Sequence, residues 1–351
     1  MNKRRFIIAL LIAVVLAIAL AVTFLFEPSA PRHNGKDVYE WMFATSNSDL
    51  AKNPGLSAIG SNAVPYLARA LAMEKTPFDR YAIVRHPRVQ KVLTAIGAGY
   101  SWRKTGEEIR HSAVWSLLAF GFEARPALPQ LHAELLRTNS EDRQTVIHAL
   151  AEIGPLPESI PFLVRAWPLA TNEIYVVRHD LLHTLGHAGT NVAALAMPIA
   201  LMSLDDPELS VRGIALNALA AWGQPAPEAV PKIFVMLSST NISLATAAAD
   251  ALGYCLRSLD CDVRVALTHY SPIPETLVGE PLEIYPFLGS YHLAQAIDSA
   301  PTALAVHGHA HAGTERGLTP GGVKVRNVAH PVIRQAYSVY ELDPADLPVP
   351  A

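Results

Sequence analysis

Histidines near the carboxyl end of the chain have a spacing that suits metal binding. The string HGHAHAG spans 307–313 and places His307, His309 and His311 at alternate positions. Another histidine, His269, follows an apolar stretch earlier in the same region. Neutral imidazole binds zinc, manganese, iron or nickel, so these side chains are candidate ligands of a divalent ion.

The elements that carry these histidines are predicted to be strands. After Gly253 the helical periodicity gives way to strand-like segments at 263–267, 303–306, 323–328 and 337–342. A short helix is predicted at 293–297 and a turn at 319–322. The first strand leads into His269 and the second into His307. A mixed sheet that delivers imidazoles from its strand ends is a common way to build a metal site.

A second histidine-rich segment, HDLLHTLGH, places His179 and His183 four residues apart, which is the helical spacing of zinc sites. Zinc peptidases need a glutamate after the first histidine as general base, whereas this chain has Asp180. The third histidine directly follows a glycine, where the extended zinc-peptidase pattern leaves two residues between them. Because that glycine also belongs to a repeat, we interpret these residues as histidines near the cap of a repeat helix.

A glycine-terminated pattern close to L-x-x-apolar-G recurs through most of the chain, at the ends of apolar helical runs. Its glycines are Gly60, Gly97, Gly121, Gly154, Gly186, Gly223 and Gly253. Most spacings lie in the thirties, and the one between Gly97 and Gly121 is shorter. A period in this range is typical of an α-solenoid, in which each helix pair buries its apolar face against its neighbours.

One unit shows why the pattern recurs. Asp205 and Asp206 are predicted to cap a helix whose first turn holds Pro207 and Glu208. Helical spacing then defines a buried stripe of Val211, Ile214, Ala215, Ala218, Leu219 and Trp222. Gly223 is predicted to end this helix, because a left-handed residue costs little there. The partner helix is expected to bury Val230, Ile233, Phe234 and Leu237.

The Asp-Asp-Pro turn, the Val211-Arg212 pair, the A-x-x-A-L spacing and the terminal glycine together resemble the HEAT-repeat family. The resemblance covers about residues 34–256, with related features at 139–154 and 239–253. It implies a helical solenoid that acts as an interaction scaffold and binds a protein partner through its concave face. The family implies no catalytic residues.

The last part of the chain resembles a different family. ALTHYSPIPETLVGEPLEIYPFLGS, followed by HGHAHAG and PGGVKVRNVA, is similar to the C-terminal half of calcineurin-like metallophosphoesterases over about residues 255–343. The resemblance implies that His269 and His309 share one metal of a two-metal centre and that His311 binds the other. The implied ion is divalent, such as Mn, Fe, Ni or Zn. His307 precedes the motif and is not implied as a ligand.

The carboxylate motifs of that family's first half, Asp-x-His, Gly-Asp-x-x-Asp and Gly-Asn-His-Asp/Glu, occur nowhere in this chain. Two-metal hydrolysis needs carboxylates to hold the ions about 4 Å apart. We therefore expect a degenerate, inactive phosphoesterase-like segment and assign no catalytic residues. The alternative is a metal-dependent phosphoesterase whose missing ligands come from Asp180, His183 or another chain.

The first residues predict a membrane anchor. MNKRR precedes an apolar run at 6–26, which is long enough to cross a bilayer core of about 30 Å as a helix. The positive-inside rule places Lys3, Arg4 and Arg5 in the cytoplasm and the body outside it, in the periplasm if the cell is bacterial. The alternative is a secreted protein, cleaved after a small-residue site at 19–21. The length of the run favours an uncleaved single-pass anchor.

Composition favours packed helices and argues against nucleic acid as a partner. Alanine and leucine dominate, and the net charge of -3 includes no basic block beyond the first residues. Cys255 and Cys261 are too few for a disulfide framework and are predicted to be free thiols. The predicted fold is mainly α, with a membrane anchor or signal-anchor at 1–30, a HEAT-like α-solenoid at 31–256, and a small mixed α/β segment resembling half of a metallophosphoesterase sandwich at 257–351.

Overall fold

The structure is a computed structural model that describes residues 30–44, 53–95, 100–138, 140–154, 157–223 and 227–342. Helices make up most of the described chain, and a small mixed sheet lies towards its carboxyl end. These observations confirm a mainly helical fold with a small mixed sheet. The chain divides into two compact units, Met1–Gly154 and Pro155–Ala351.

The predicted transmembrane segment at 6–26 lies outside the described residues. Within the described part of the chain, no single helix combines the length and apolar character needed to span a bilayer. Tyr175–Gly186 and Thr190–Ser203 meet the requirement only when taken together, and they are bent at 115° to each other.

The first unit begins with a short antiparallel hairpin of β1 (Arg32–His33) and β2 (Lys36–Asp37). Its described α-helices are α1 (Val38–Met42), α2 (Pro54–Ile59), α3 (Val64–Leu71), α4 (Pro77–Arg80), α5 (Pro87–Ala95), α6 (Gly106–Ala119), α7 (Leu128–Leu135) and α8 (Arg143–Ile153). Helices α3, α6, α7 and α8 pack on one another around a core that includes Leu67, Leu117 and Leu131. Burial of these leucines is the main force that holds the four helices together.

The second unit continues with paired helices. They are α9 (Ile160–Ala170), α10 (Tyr175–Gly186), α11 (Ala193–Ser203), α12 (Leu209–Trp222), α13 (Val230–Leu237) and α14 (Ile242–Arg257). Helix α10 packs on α12 and α12 packs on α14, while α11 and α13 lie beside them. We call α10, α12 and α14 the helix row.

Contacts at both ends show that α10 and α12 run parallel. Near their amino ends, Arg178 donates two hydrogen bonds to the carboxylate of Asp206, at 2.8 and 3.2 Å. Near their carboxyl ends, the indole N–H of Trp222 donates to the carbonyl of Leu185 at 3.2 Å. The expected buried stripe of α12 is largely confirmed, since Val211, Ala215, Ala218, Leu219 and Trp222 are all buried.

The recurring glycines have two different structural roles. Gly154 and Gly223 end α8 and α12 with φ values of +105° and +59°, as predicted for helix stops. Gly186 is the last residue of α10, where an added methyl group would lie 3.2 Å from the Cβ of Ala218. Gly253 lies well inside α14, so the prediction of a helix end there is wrong. At Gly186 and Gly253 the missing side chain allows a neighbouring helix to approach closely.

The predicted capping of α12 by Asp205 and Asp206 is also wrong. Helix α12 begins further along, and its N-cap residue, Glu208, makes no side-chain capping bond. Asp206 instead binds Arg178, because the guanidinium presents two donors that match the two carboxylate oxygens. Asp205 lies at the surface, 2.6 Å from the amine of Lys232.

In the part of the chain that the structure describes, the sheet has four strands. They are β3 (Arg264–Thr268), β4 (Thr302–His307), β5 (Arg316–Leu318) and β6 (Lys324–Asn327), in the spatial order β3-β4-β6-β5. Strand β4 pairs in parallel with β3 and β6, and β5 pairs antiparallel with β6. The short helices are α15 (Tyr285–Leu288), α16 (Tyr291–Asp298) and α17 (His330–Ile333).

Three of the four predicted strands are confirmed, as are the predicted helix at 293–297 and the turn at 319–322. The strand predicted at 337–342 is wrong, because among the described residues this segment has no backbone pairing partner. Its position is set by Tyr340, whose ring faces Arg326 and whose hydroxyl lies 3.5 Å from Glu315. Strand β5, which was not predicted, is short and pairs at the far edge of β6.

Helix α16 covers one face of the sheet. Its Ala294 and Ile297 pack in one buried cluster with Ala266 of β3, Ala305 of β4 and Val325 of β6. All five side chains are less than a tenth exposed. The sheet therefore takes its core from the helix that connects β3 to β4.

The opposite side of α16 packs on α14. A methyl group added at Gly253 would lie 2.1 Å from the hydroxyl oxygen of Ser299, and Arg257 donates to the Ser299 carbonyl at 3.0 Å. Likewise, a methyl group at Gly223 would lie 3.0 Å from the ring of Tyr254. These contacts join the carboxyl ends of helices that also pack along each other, so α12, α14 and α16 run in the same direction and α16 extends the helix row. The predicted domain boundary near residue 256 falls within this packed unit.

Strand β3 lies at one end of the sheet. Ala266 points into the core, whereas Val265 and Leu267 on its other face are 46% and 76% exposed. A groove of about 270 Å³ runs beside the strand and is lined by apolar side chains that include Phe234, Leu256 and Leu259. Strand β3 thus presents an open apolar surface at the sheet edge.

The pairing of Asp206 with Arg178 predicts a pH-dependent stability. Burial alone would raise the pKa of Asp206, but hydrogen bonds from Arg178 and the Glu208 N–H outweigh burial and hold this pKa below its ordinary value. The ionised group therefore stabilises the fold above the ordinary aspartate pKa of about 3.9, and this contribution is lost as the pH falls through the lower folded-state pKa. We expect Asp206→Asn to cost about 3 kcal/mol of unfolding free energy at pH 7.

Urea denaturation of both proteins at pH 7 and pH 3 measures this cost, which is expected to shrink at the lower pH. Asp205→Asn is the matched control, because its ion pair with Lys232 is exposed and is worth less than about 1 kcal/mol. An Asp206→Asn cost that stays below that of the control, or that does not depend on pH, would contradict this account.

The close contact at Gly253 predicts opposite effects for two glycine substitutions. An alanine at Gly213 in α12 meets no atom within 4 Å, so Gly213→Ala should raise the unfolding free energy by about 0.5–1 kcal/mol. Gly253→Ala should instead lower it by up to about 1 kcal/mol, because the Ser299 hydroxyl must turn away and lose its hydrogen bond to the Ala296 carbonyl, which would itself lie 3.3 Å from the added methyl group. Thermal denaturation of the two variants separates the effects. Equal stabilisation by both would show that α14 and α16 do not need the glycine.

Candidate functional site

The candidate site lies where β3 and β4 end. Thr268 pairs with His307 in the parallel ladder, so the chain leaves both strands at the same edge of the sheet. His269 directly follows β3, and His309 lies two positions after β4 ends. The strand register therefore brings together two histidines that are far apart in sequence.

The rings of His269 and His309 lie 4.4 Å apart, with their planes tilted by 40°. The ring of Tyr270 meets both edge-on, at 5.1 Å from His269 and 5.2 Å from His309. We call these three residues the ring cluster. His269 and Tyr270 are exposed and His309 is half-buried, so the cluster is open to solvent. Two adjacent imidazoles can together bind one borderline divalent ion.

His311, the third predicted ligand, is exposed in the turn after His309. Within the residues that the structure describes, no three His, Cys, Asp or Glu side chains are grouped so as to hold an ion. The structure thus brings together two of the three predicted ligands, and metal binding by them stays a prediction.

His307 has a different environment from the other histidines of the motif. It is fully buried, with its Nε2 atom 2.8 Å from the Thr276 hydroxyl and its Nδ1 atom 2.8 Å from the Gly308 carbonyl. Burial lowers the pKa of His307, and the hydrogen bond to the Gly308 carbonyl offsets only part of that effect. A neutral ring satisfies both contacts, since Nδ1–H donates to the carbonyl and Nε2 accepts from the hydroxyl. His307 therefore anchors the loop that carries His309.

Further contacts fix that loop from several sides. The side-chain amide of Asn327, at the end of β6, donates to the Ala310 carbonyl at 2.8 Å. The Ala312 N–H donates to the Glu280 carboxylate at 2.7 Å. A methyl group at Gly313 would lie 2.2 Å from the Thr276 carbonyl, so only glycine fits there without a shift of the backbone. The loop is thus held by contacts to three separate parts of the segment.

His309 itself has a left-handed backbone, with φ of +64°. This conformation costs a residue with a Cβ about 1–2 kcal/mol, and glycine adopts it readily. Glycine would adopt this backbone conformation at lower cost, but only a histidine here places an imidazole beside His269 and Tyr270. A strained backbone at such a position is typical of functional sites.

The donor set does not fit the two-metal centre that the phosphoesterase resemblance implies. The ring cluster offers two imidazoles and a phenol, and the carboxylate of Glu280 is engaged by the Ala312 N–H. Carboxylates are what hold two ions close together and place the attacking water between them. No hydrolytic step is therefore assigned to these residues.

Sequence reasoning missed several residues that shape this region. Tyr270 had only its position beside His269 to indicate a role. Thr276 and Ser271 form a buried hydroxyl pair at 2.7 Å that supports His307, a contact between distant positions of the chain. Ser271 also lines a cavity of about 490 Å³ whose wall includes Tyr285 and Tyr291. The residues that line this cavity include several serines, prolines and tyrosines from separate segments, and no local pattern in the sequence indicates that they come together.

Comparison with known proteins does not place the chain in a family. No family model matches it, and no curated protein matches it. Among solved structures, a crystal structure of an engineered protein is 17% identical, with a TM-score of 0.39. The similarity covers 63% of this chain and 96% of the engineered one, and at this TM-score it carries no inference about fold or function.

The left-handed backbone at His309 predicts an order of stability among variants. His309→Gly and His309→Ala both remove the imidazole, but only glycine also relieves the backbone at φ of +64°. We expect His309→Gly to be more stable than His309→Ala by about 1 kcal/mol. Urea denaturation of the two variants measures the difference. Equal stabilities would show that this backbone conformation carries no strain.

Proposed function

We propose that this protein is a membrane-anchored HEAT-repeat scaffold that binds a protein partner, with an inactive phosphoesterase-like segment at its carboxyl end. The observation that carries the proposal is the packing of α10 on α12 and of α12 on α14 in one row. Each contact joins one helix pair to the next, which is how repeat proteins gain stability. The apolar run at 6–26 supplies the anchor, and its flanking positive charges favour an extracytoplasmic body.

The second helices of the pairs provide the proposed binding surface. Leu195 and Met202 of α11 and Val235 of α13 are 49%, 57% and 76% exposed. Helices α11 and α13 are neighbours, since Lys232 of α13 donates to the Leu201 carbonyl of α11 at 3.2 Å. Large apolar side chains exposed on neighbouring elements are typical of protein interaction surfaces. We assign this surface to the concave face that the HEAT resemblance implies, with a protein as its partner.

The carboxyl-terminal segment supports the same proposal. Helix α16 occupies the position of a further first helix in the row, so the segment packs against the end of the repeats. Terminal units of repeat proteins commonly differ from the internal ones, because they must cover the last apolar face. The ring cluster lacks the carboxylates of a two-metal centre, which favours a structural role for this segment over hydrolysis.

Affinity capture with the full chain tests the proposal. The double variant Met202→Glu with Val235→Glu should reduce partner recovery about tenfold or more, because it would place unpaired charges in the interface. Leu282→Glu is the matched control, since Leu282 is equally exposed at 74% but lies in the carboxyl-terminal segment. Recovery should also survive replacement of His269, His309 and His311 by alanine.

Two outcomes would contradict the scaffold proposal. One is loss of the partner in the triple histidine variant, which would show that His269, His309 and His311 are needed for the interaction. The other is a content of two tightly held manganese ions that disappears in His309→Ala. That result would mean that the missing ligands come from Asp180, His183 or another chain, and it would favour the phosphoesterase alternative.

A further inference from the structure

The carboxyl end of α10 carries a line of histidines. His179, His183 and His187 follow one another at intervals of four residues, which places them on one face of the helix. The rings of His179 and His183 are 6.3 Å apart, and those of His183 and His187 are 4.3 Å apart with a tilt of 39°. His183 and His187 are exposed, and His179 is half-buried. The last two rings are thus the close pair.

Hydrogen bonds fix which ring nitrogen of His187 carries the proton. Its Nδ1 atom lies 2.8 Å from the carbonyl oxygen of His183, which can only accept. Nδ1 is therefore the protonated nitrogen of the neutral ring, and Nε2 keeps its lone pair. A hydrogen bond of this kind from the second ring nitrogen is what orients metal-bound histidines in proteins.

The position of the pair at the helix end adds to its affinity for cations. Helix α10 ends at Gly186, with His183 in its last turn and His187 at its C-cap. The last carbonyls of a helix lack intrahelical partners and carry partial negative charge. A cation bound beside this end is stabilised by that charge.

We propose that His183 and His187 form a surface site for a borderline divalent transition ion, such as Zn²⁺, Ni²⁺ or Cu²⁺. Imidazole nitrogen suits these ions, and their affinity for such donors exceeds that of Mn²⁺. The two rings occupy two coordination positions, and water fills the rest. The site is separate from the ring cluster, because it is built on one helix and needs no strand register.

The site is not that of a zinc peptidase. The residue after the first histidine is Asp180, and its carboxylate accepts a hydrogen bond from the His179 ring at 3.0 Å. Asp180 is therefore engaged with the imidazole that lies outside the close pair. Among the described residues, no third His, Cys, Asp or Glu side chain is grouped with the pair. The expected function is therefore binding of an ion whose remaining coordination positions are open to water.

The test uses the full chain in detergent, without a polyhistidine tag, and with His269→Ala and His309→Ala present to remove the ring cluster. Titration with Zn²⁺ should show one site of stoichiometry near one. We expect His183→Ala and His187→Ala each to weaken binding about tenfold or more. His179→Ala is the matched control, because its ring is 6.3 Å from His183, and it should change the affinity less than about threefold.

Paramagnetic resonance with Cu²⁺ gives an independent readout, namely two coupled nitrogens in the parent and one in His187→Gln. The helical circular dichroism of each variant shows whether it is folded. If His183→Ala unfolds, His187→Gln is used in its place. Equal Zn²⁺ affinity in the parent and in His187→Gln would overturn the proposal. So would a loss in His179→Ala as large as that in His187→Ala.

Discussion

The close approach of α14 and α16 at Gly253 is the contact on which the carboxyl-terminal sheet depends. Helix α16 packs on β3, β4 and β6 with one side and on α14 with the other. A methyl group at Gly253 would lie 2.1 Å from the Ser299 hydroxyl oxygen and 3.3 Å from the Ala296 carbonyl oxygen, so the glycine allows the two helices to pack closely. Because α16 also connects β3 to β4, any shift of this helix is transmitted to the strands whose ends carry His269 and His309.

Much of the fold follows from sequence periodicity, because helical and strand patterns are local. Helix α12 buries the expected stripe, and three of the four expected strands form. The errors arise where a residue's role is set by a distant partner. Gly253 has the same local context as a helix-ending glycine, yet α16 packs against it. Asp206 has the sequence of a cap, yet Arg178 from the preceding helix pair binds it.

The two histidine pairs of this chain show the same contrast. The four-residue spacing of His183 and His187 predicts only that they share one helix face, since His179 and His183 have the same spacing at 6.3 Å while His183 and His187 are 4.3 Å apart. His269 and His309 are 4.4 Å apart because β3 and β4 are in parallel register, and the prediction of two neighbouring strands ending in histidines was needed to anticipate it. The participation of Tyr270 and the burial of His307 depend on side-chain packing that no local pattern encodes.

The parallel pairing of β3 with β4 constrains the order in which the segment folds during translation. Parallel neighbours need a crossover connection, so β3 leaves the ribosome before α16 and well before the strand that pairs with it. During that interval its apolar side chains, including Leu267, have no sheet to join. Helix α14 precedes β3 in the chain and offers a surface to α16 as soon as that helix emerges. Docking of helix on helix can therefore come first during translation, with the sheet assembling afterwards on a helix that is already in place.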